Sequence, residues 1–149
     1  MLSAWSEFYS NSVVWRTAIQ FLHLGGLLIG AGTAVAADRL ILLAEAGDTY
    51  QLKALKGSHR VVLGGVVAMF VSGALMVGAD FDHYVTSRWF WAKIALVVVL
   101  LINGVRLARA EQAARESDPS GWARLRAASA ASLVLWILVT LFGAIVPNV

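Results

Sequence analysis

The sequence contains no cysteine, and only 14% of its 149 residues are charged. Without cysteine the chain cannot form disulfides, thiolate metal sites, cysteine-ligated iron–sulfur clusters or a cysteine nucleophile. Ordinary soluble domains are roughly a quarter charged, so the low charge points away from that class. The GxxxxGK[ST], HExxH and GxSxG motifs are also missing. Phosphate-binding loops, zinc proteases and serine hydrolases that carry these signatures are therefore excluded.

The chain is rich in apolar residues, which make up 59% of it, and its mean hydropathy is +0.73. Four apolar runs stand out, at about 17–43, 60–79, 89–108 and 128–147. Each is long enough to cross a membrane, because one helix needs roughly 20 apolar residues to do so. The pattern predicts an all-α integral membrane four-helix bundle, with residues 1–149 forming one membrane domain. The segment before the first run lacks a basic n-region, and we interpret it as a retained interfacial lead-in.

Basic residues cluster in two of the three connections between the runs. The second connection, 80-DFDHYVTSR-88, carries one arginine and two aspartates. The positive-inside rule therefore places the first and third connections in the cytoplasm and both termini outside, in the periplasm. We expect a multi-pass protein of a bacterial inner membrane that binds no nucleic acid. The basic residues concerned are Arg39, Lys53, Lys56, Arg60, Arg106, Arg109, Arg115, Arg124 and Arg126.

Aromatic residues and a turn support the same topology. Trp15, Tyr84, Trp89 and Trp91 fall at the outer ends of the runs, as in an interfacial aromatic belt,. The sequence 118-DPSG-121 has the composition of a turn between helix-favouring segments. We expect the third and fourth helices to continue past the membrane into the cytoplasm as a short hairpin.

Two ionisable residues, His23 and Lys93, lie inside apolar runs. Such residues are costly in hydrocarbon, and their default interpretation is functional. The first and third runs cross in the same direction, and the two positions differ in depth by about 3 Å at 1.5 Å rise per residue. Separately, His23 could bond to a neighbouring helix and Lys93 could extend to the interface. Together they favour one site in the outer half of the bundle, whereas His59 is expected at the opposite interface.

Glycines follow His23 on the same helical face. Gly26 and Gly30 share its i, i+3, i+7 spacing, so they serve either close helix packing or a groove for a flat ligand. Neutral imidazole is a common axial ligand of haem iron. A desolvated lysine such as Lys93 can act as a base or a neutral amine.

The first run ends in Asp38 and Arg39, which point about 100° apart around a helix. They cannot face each other, and we expect them at the inner boundary of the helix, with Arg39 near lipid phosphate. In the fourth run, five residues recur at helical spacing and predict the face that points into the bundle: Ser129, Ser132, Trp136, Thr140 and Gly143,.

Five features of the sequence carry a family resemblance. They are 20-QFLHLGGLLIGAG-32, 39-RLIL-42, 59-HRVVLGGVVAMFVSGALM-76, 89-WFWAKIALVVVLLINGVRLAR-109 and Pro147. With these features the chain resembles the HemJ family and its CopD-like relatives.

The resemblance implies a haem b or porphyrin-binding oxidoreductase that converts protoporphyrinogen IX to protoporphyrin IX. It implies His23 as the axial metal ligand and Lys93 as a catalytic and cofactor-binding residue near the porphyrin. The helical spacing of Gly26 and Gly30 makes them candidate cofactor-binding residues in the groove beside it. The implied partners are a porphyrin or haem, the lipid bilayer and a membrane electron acceptor.

Two further functions stay open. One is a non-enzymatic accessory subunit of a larger respiratory or photosynthetic membrane complex. The other is CopD-like copper handling, although Met69 and Met76 are the only methionines within a run, so soft copper ligands are scarce,. Assembly of the chain with further copies of itself also stays open.

Overall fold

The computed structural model describes residues 2–55, 57–116 and 120–146. Every element in these ranges is a helix. In chain order they are α1 (Leu2–Asn11), α2 (Val13–Leu43), α3 (Thr49–Ala54), α4 (Ser58–Ala79), α5 (Phe81–Thr86), α6 (Arg88–Arg115) and α7 (Gly121–Ile145). Lys56, the turn residues Asp118 and Pro119, and Pro147 lie outside the described residues.

Four of the helices, α2, α4, α6 and α7, are long and apolar enough to cross a membrane. The chain is therefore a multi-pass membrane protein with an all-helical fold across its described residues. Helix α2 begins at Val13, before the apolar run at 17, because the Ser12 side chain caps the helix by accepting from the Trp15 backbone N–H,. Helix α6 continues to Arg115 and α7 begins at Gly121, so both helices extend beyond the apolar runs as the sequence predicts.

The long helices pack side by side, α2 along α4 and α7, and α6 along α7. The middle of the bundle is filled by a central cluster of buried side chains, Ala34, Leu100, Trp136 and Val139. Outward-facing apolar side chains remain exposed, among them Phe21, Leu28 and Phe70 at 76% each. Because lipid tails are as apolar as these side chains, this surface is suited to contact with a bilayer.

Helices α6 and α7 are also joined by a buried polar bond. The Asn103 side-chain amide donates to the Ala128 carbonyl oxygen at 2.9 Å. Asn103 lies within an apolar helix, where an unpaired amide would be costly, and the bond satisfies one of its donors.

The two ends of the bundle differ in composition. At the end where α2 and α6 begin, called the aromatic end, the Trp5 indole N–H donates to the Leu75 carbonyl oxygen at 3.0 Å and ties α1 to α4. The Trp89 ring lies 5.7 Å from Phe142 at this end. The expected lead-in is thus a helix packed on the bundle. The opposite end, where α2 and α6 finish, carries most of the basic residues and is called the basic end.

Candidate functional site

His23 lies on α2 near the aromatic end, with its imidazole half-buried against α4. Its Nδ1 is 3.0 Å from the Ser72 hydroxyl oxygen. That hydroxyl is fully buried and donates its single hydrogen to the Ala68 carbonyl oxygen at 2.6 Å. Ser72 therefore accepts from Nδ1–H, which assigns the tautomer and leaves the lone pair on Nε2. The imidazole also interacts with the Met69 backbone.

Lys93 lies on α6, also near the aromatic end, with its ammonium over Gly143 of α7. A Cβ placed on Gly143 would lie 3.4 Å from Lys93 Nζ. Gly73 of α4 has the same relation to His23, since a Cβ placed there would lie 3.5 Å from the ring carbon Cε1. The Lys93 charge acts electrostatically on the His23 ring. The structure thus places the two ionisable residues whose depths match in the sequence at the same end of the bundle, on α2 and α6.

Gly26 and Gly30 lie instead in the crossing of α2 and α4. A Cβ on Gly26 would lie 2.9 Å from the Gly65 carbonyl oxygen, and one on Gly30 would lie 3.1 Å from Gly65 Cα. The groove expected along these glycines is filled by α4, because the missing side chains let the two backbones meet. We assign Gly26 and Gly30 to helix packing rather than to a ligand groove.

The central cluster limits where a flat ligand could lie. Side chains of all four long helices pack on or in it, including Leu27, Met69 and Leu96 one turn below the site. The space between α2 and α6 is therefore filled at mid-depth. A ligand held by both His23 and Lys93 would have to lie at the aromatic end, above this cluster.

The residue expected at the opposite interface, His59, belongs to a polar cluster at the basic end. Its Nε2 lies 2.6 Å from a carboxylate oxygen of Glu111 on α6. The Arg115 guanidinium binds the other oxygen of Glu111 at 2.5 Å. The sequence analysis missed Glu111, although its i, i+4 spacing from Arg115 was a visible signal.

His59 is too far from His23 to share a ligand with it. Ser72, which touches His23, follows His59 by 13 residues on α4. At 1.5 Å per residue this places the two imidazoles roughly 20 Å apart along the helix. A bis-histidine site is therefore excluded, as the depth argument expects.

Asp38 lies five residues before the end of α2 at Leu43, near the basic end as the sequence predicts, but its side chain is turned into the bundle. It is buried, with 1% of its surface exposed, while the adjacent Arg39 is exposed. The angle of about 100° between neighbours on a helix turns one inward and the other outward. The Ser129 and Ser132 hydroxyls of α7 face the Asp38 carboxyl. Their spacing in the sequence was the signal that could have identified this pairing.

A metal site would need several ligating side chains close together. Across residues 2–55, 57–116 and 120–146, no group of three or more histidine, aspartate and glutamate side chains is placed to hold a metal ion.

Compared with known proteins, the chain matches no family model, no curated protein and no solved structure. Its function is therefore argued from the residues and their geometry.

Proposed function

We propose that the chain is a membrane protein that binds haem b or a porphyrin at its aromatic end and acts as a HemJ-like oxidase of protoporphyrinogen IX. The observation that supports this is the His23–Ser72 hydrogen bond, which leaves Nε2 as a neutral ligand atom. An axial histidine usually donates its other ring N–H to a nearby oxygen in this way. His23 therefore fits the haem b that the family resemblance implies.

Two side chains of the chain have distinct roles in this proposal. His23 would hold the iron of bound haem through Nε2, and the bond from Nδ1 to Ser72 would orient the ring. Lys93 binds a carboxylate of the porphyrin side chains through its ammonium or, when neutral, accepts a proton at Nζ. Bound haem b supplies the electron-transfer chemistry, while the protein supplies ligation, orientation and charge.

We also propose an orientation of the protein in the membrane. The basic end faces the cytoplasm, because lysine and arginine are concentrated in the connections there. The site then lies in the periplasmic half of a bacterial inner membrane, with α1 and both chain ends on the periplasmic side. An electron acceptor would approach within the bilayer.

Visible absorption spectra test the binding step. We expect the purified protein in detergent to show a Soret band, as isolated or after haem is added, and His23→Ala to abolish it. His83→Ala is the matched control, because His83 is exposed on α5 and should leave the band unchanged. A wild-type protein without a Soret band even after haem addition would refute the proposal.

A second assay tests the reaction. With oxygen excluded and a quinone supplied as the electron acceptor, protoporphyrin fluorescence should appear when protoporphyrinogen IX is added to haem-loaded protein. Lys93→Met should slow its appearance while the Soret band remains. Haem binding without this activity would reject the oxidase function. Copper in the purified protein with no haem spectrum would indicate copper handling instead. Co-migration with a large complex whose electron transfer survives His23→Ala would indicate an accessory subunit.

A further inference from the structure

Asp38 is a carboxyl group buried inside the membrane-spanning part of the protein. Only 1% of its surface is exposed, and neither oxygen makes a hydrogen bond of good geometry in the part of the chain that the structure describes. An ionised carboxylate in such a place is costly unless a counter-charge or several donors compensate it. The Asp38 carboxyl therefore needs a compensating group, such as a proton, that the neighbouring side chains do not supply.

The polar groups around Asp38 come from three helices. Helix α7 contributes the Ser129 and Ser132 hydroxyls, and Ser129 Oγ also has no hydrogen-bond partner in the described ranges. The charged residue of α7 nearest in sequence, Arg126, is held at the helix end, where it donates to the Ala44 carbonyl oxygen. On α2 itself Arg39 points outward. A proton on Asp38 would neutralise the carboxyl and provide a donor for Ser129.

His59 is the titratable group of α4 at the basic end, where α4 packs along α2, and its charge interacts with that of Asp38. The His59 side chain is 51% exposed, so it reaches water at the basic end. On its other side it is bonded to Glu111, whose charge is also paired with Arg115 on α6. His59 thus stands between the aqueous phase and the buried carboxyl.

We propose that Asp38 is a proton-binding site within the membrane that exchanges its proton with the aqueous phase at the basic end through His59. Protonated His59 gives up its proton to an intervening water molecule as an imidazole N–H bond breaks, and that water passes a proton to Asp38, where an O–H bond forms. The water is required because no hydrogen bond joins the two side chains directly. Both groups become neutral in this step, and water then reprotonates His59. Glu111 stabilises the charged imidazole between transfers and stays a carboxylate because Arg115 holds it. The site is independent of haem at the aromatic end.

Infrared difference spectroscopy across a range of pH tests the binding site. Wild-type protein in lipid nanodiscs should show the C=O stretch of a protonated carboxylic acid, shifted in D₂O and decreasing at high pH. Asp38→Asn should abolish this band, whereas the matched control Asp80→Asn, at an exposed carboxylate that ends α4, should retain it. If wild-type protein lacks the band at every pH, or Asp38→Asn retains it, the proposal is wrong. If Asp38→Asn does not fold, the presence or absence of the band in the wild-type protein still tests the proposal.

A pH jump tests the route. His59→Gln should keep the band but slow its response by roughly 10²-fold, the lower range for a side chain that transfers protons. His83→Gln, at an exposed histidine, should respond like the wild type. An unchanged rate in His59→Gln would show that protons reach Asp38 by another path and would overturn the role of His59.

Discussion

The His23 Nδ1 atom and the Ser72 hydroxyl oxygen lie 3.0 Å apart across the interface of α2 and α4. Because the Ser72 hydroxyl already donates to Ala68, this contact fixes the proton on Nδ1 and frees Nε2,. A serine on a neighbouring helix thus determines which ring nitrogen of His23 carries the proton. Removal of the Ser72 hydroxyl therefore tests how much this hydrogen bond contributes to ligand binding.

Ser72→Ala should weaken haem or porphyrin binding by about 10- to 100-fold, the usual cost of removing the partner of a ligating histidine. The Soret band should remain at saturating haem, because His23 is still present. Spectroscopic haem titration measures the change. Thr140→Ala is the control, since it also removes a hydroxyl bonded to its own helix but at an exposed position. The prediction that Thr140 points into the bundle is wrong, because its side chain lies on the outer side of α7. If both variants bind haem with equal affinity, Ser72 does not support ligation by His23.

Gly65→Ala should destabilise the crossing of α2 and α4. The added Cβ would lie 2.6 Å from both the Gly26 carbonyl oxygen and Gly30 Cα, so backbone must move. We expect a loss of about 1–3 kcal/mol in the free energy of unfolding, as for other overpacked sites. Unfolding in mixed micelles of increasing SDS content measures it.

Gly64→Ala provides the matched control for that prediction. It is the neighbouring glycine on the same helix, yet an added Cβ meets nothing within 4 Å. Alanine favours a helix over glycine by roughly 1 kcal/mol, so this variant should be no less stable than the wild type. Similar losses in both variants would contradict the assignment of Gly65 to the crossing.

Glu111→Gln should destabilise the basic end. The carboxylate binds His59 and Arg115 at the same time, and glutamine keeps the shape but removes the charge. Hydrogen bonds to charged groups are worth about 1.5–3 kcal/mol, so we expect a loss of about 2 kcal/mol in the same SDS assay. Glu116→Gln, at an exposed residue bonded only to Gln112 among the described side chains, should change stability by less than about 0.5 kcal/mol,. A loss of equal size in the two variants would argue against the shared pairing.

Tyr84 on α5 predicts a pH effect outside the spans. Burial raises the pKa of its phenol, and the nearby Tyr9 and Asp80 raise it further. The unfolded chain therefore releases this proton first as pH rises, so the contribution of Tyr84 to stability is full below about pH 10 and is lost above it. In a tyrosinate absorbance titration, Tyr84→Phe should remove a transition above the ordinary tyrosine range. Removal of a transition within the ordinary range would contradict the burial.

Much of the fold could be predicted because its signals are local. Apolar runs of sufficient length indicate spanning helices whatever they pack against. The extension of α6 and α7 past the apolar runs could be predicted in the same way, since the residues after 108 and before 128 favour helix. The short helices α3 and α5 were missed, because six residues without a periodic pattern give little signal.

The candidate site was only partly predictable. His23 and Lys93 could be selected from their cost in hydrocarbon and their matched depth. Ser72 could not be identified as the partner of His23, because a serine in an apolar helix usually bonds to its own backbone. Gly26 and Gly30 were ambiguous for a similar reason: an absent side chain leaves room equally for a ligand or a second helix, and here a helix fills it.

The sequence by itself determined that this chain forms four apolar spanning helices with a histidine and a lysine inside them, since length, hydropathy and rise per residue act locally. Only the tertiary structure decided which faces meet. It covered Gly26 and Gly30 with α4, joined His59 to Glu111 and turned Asp38 toward the serines of α7. The physical reason is that rotation and pairing of helices depend on contacts between distant residues, and a shift of one position turns a side chain by about 100°.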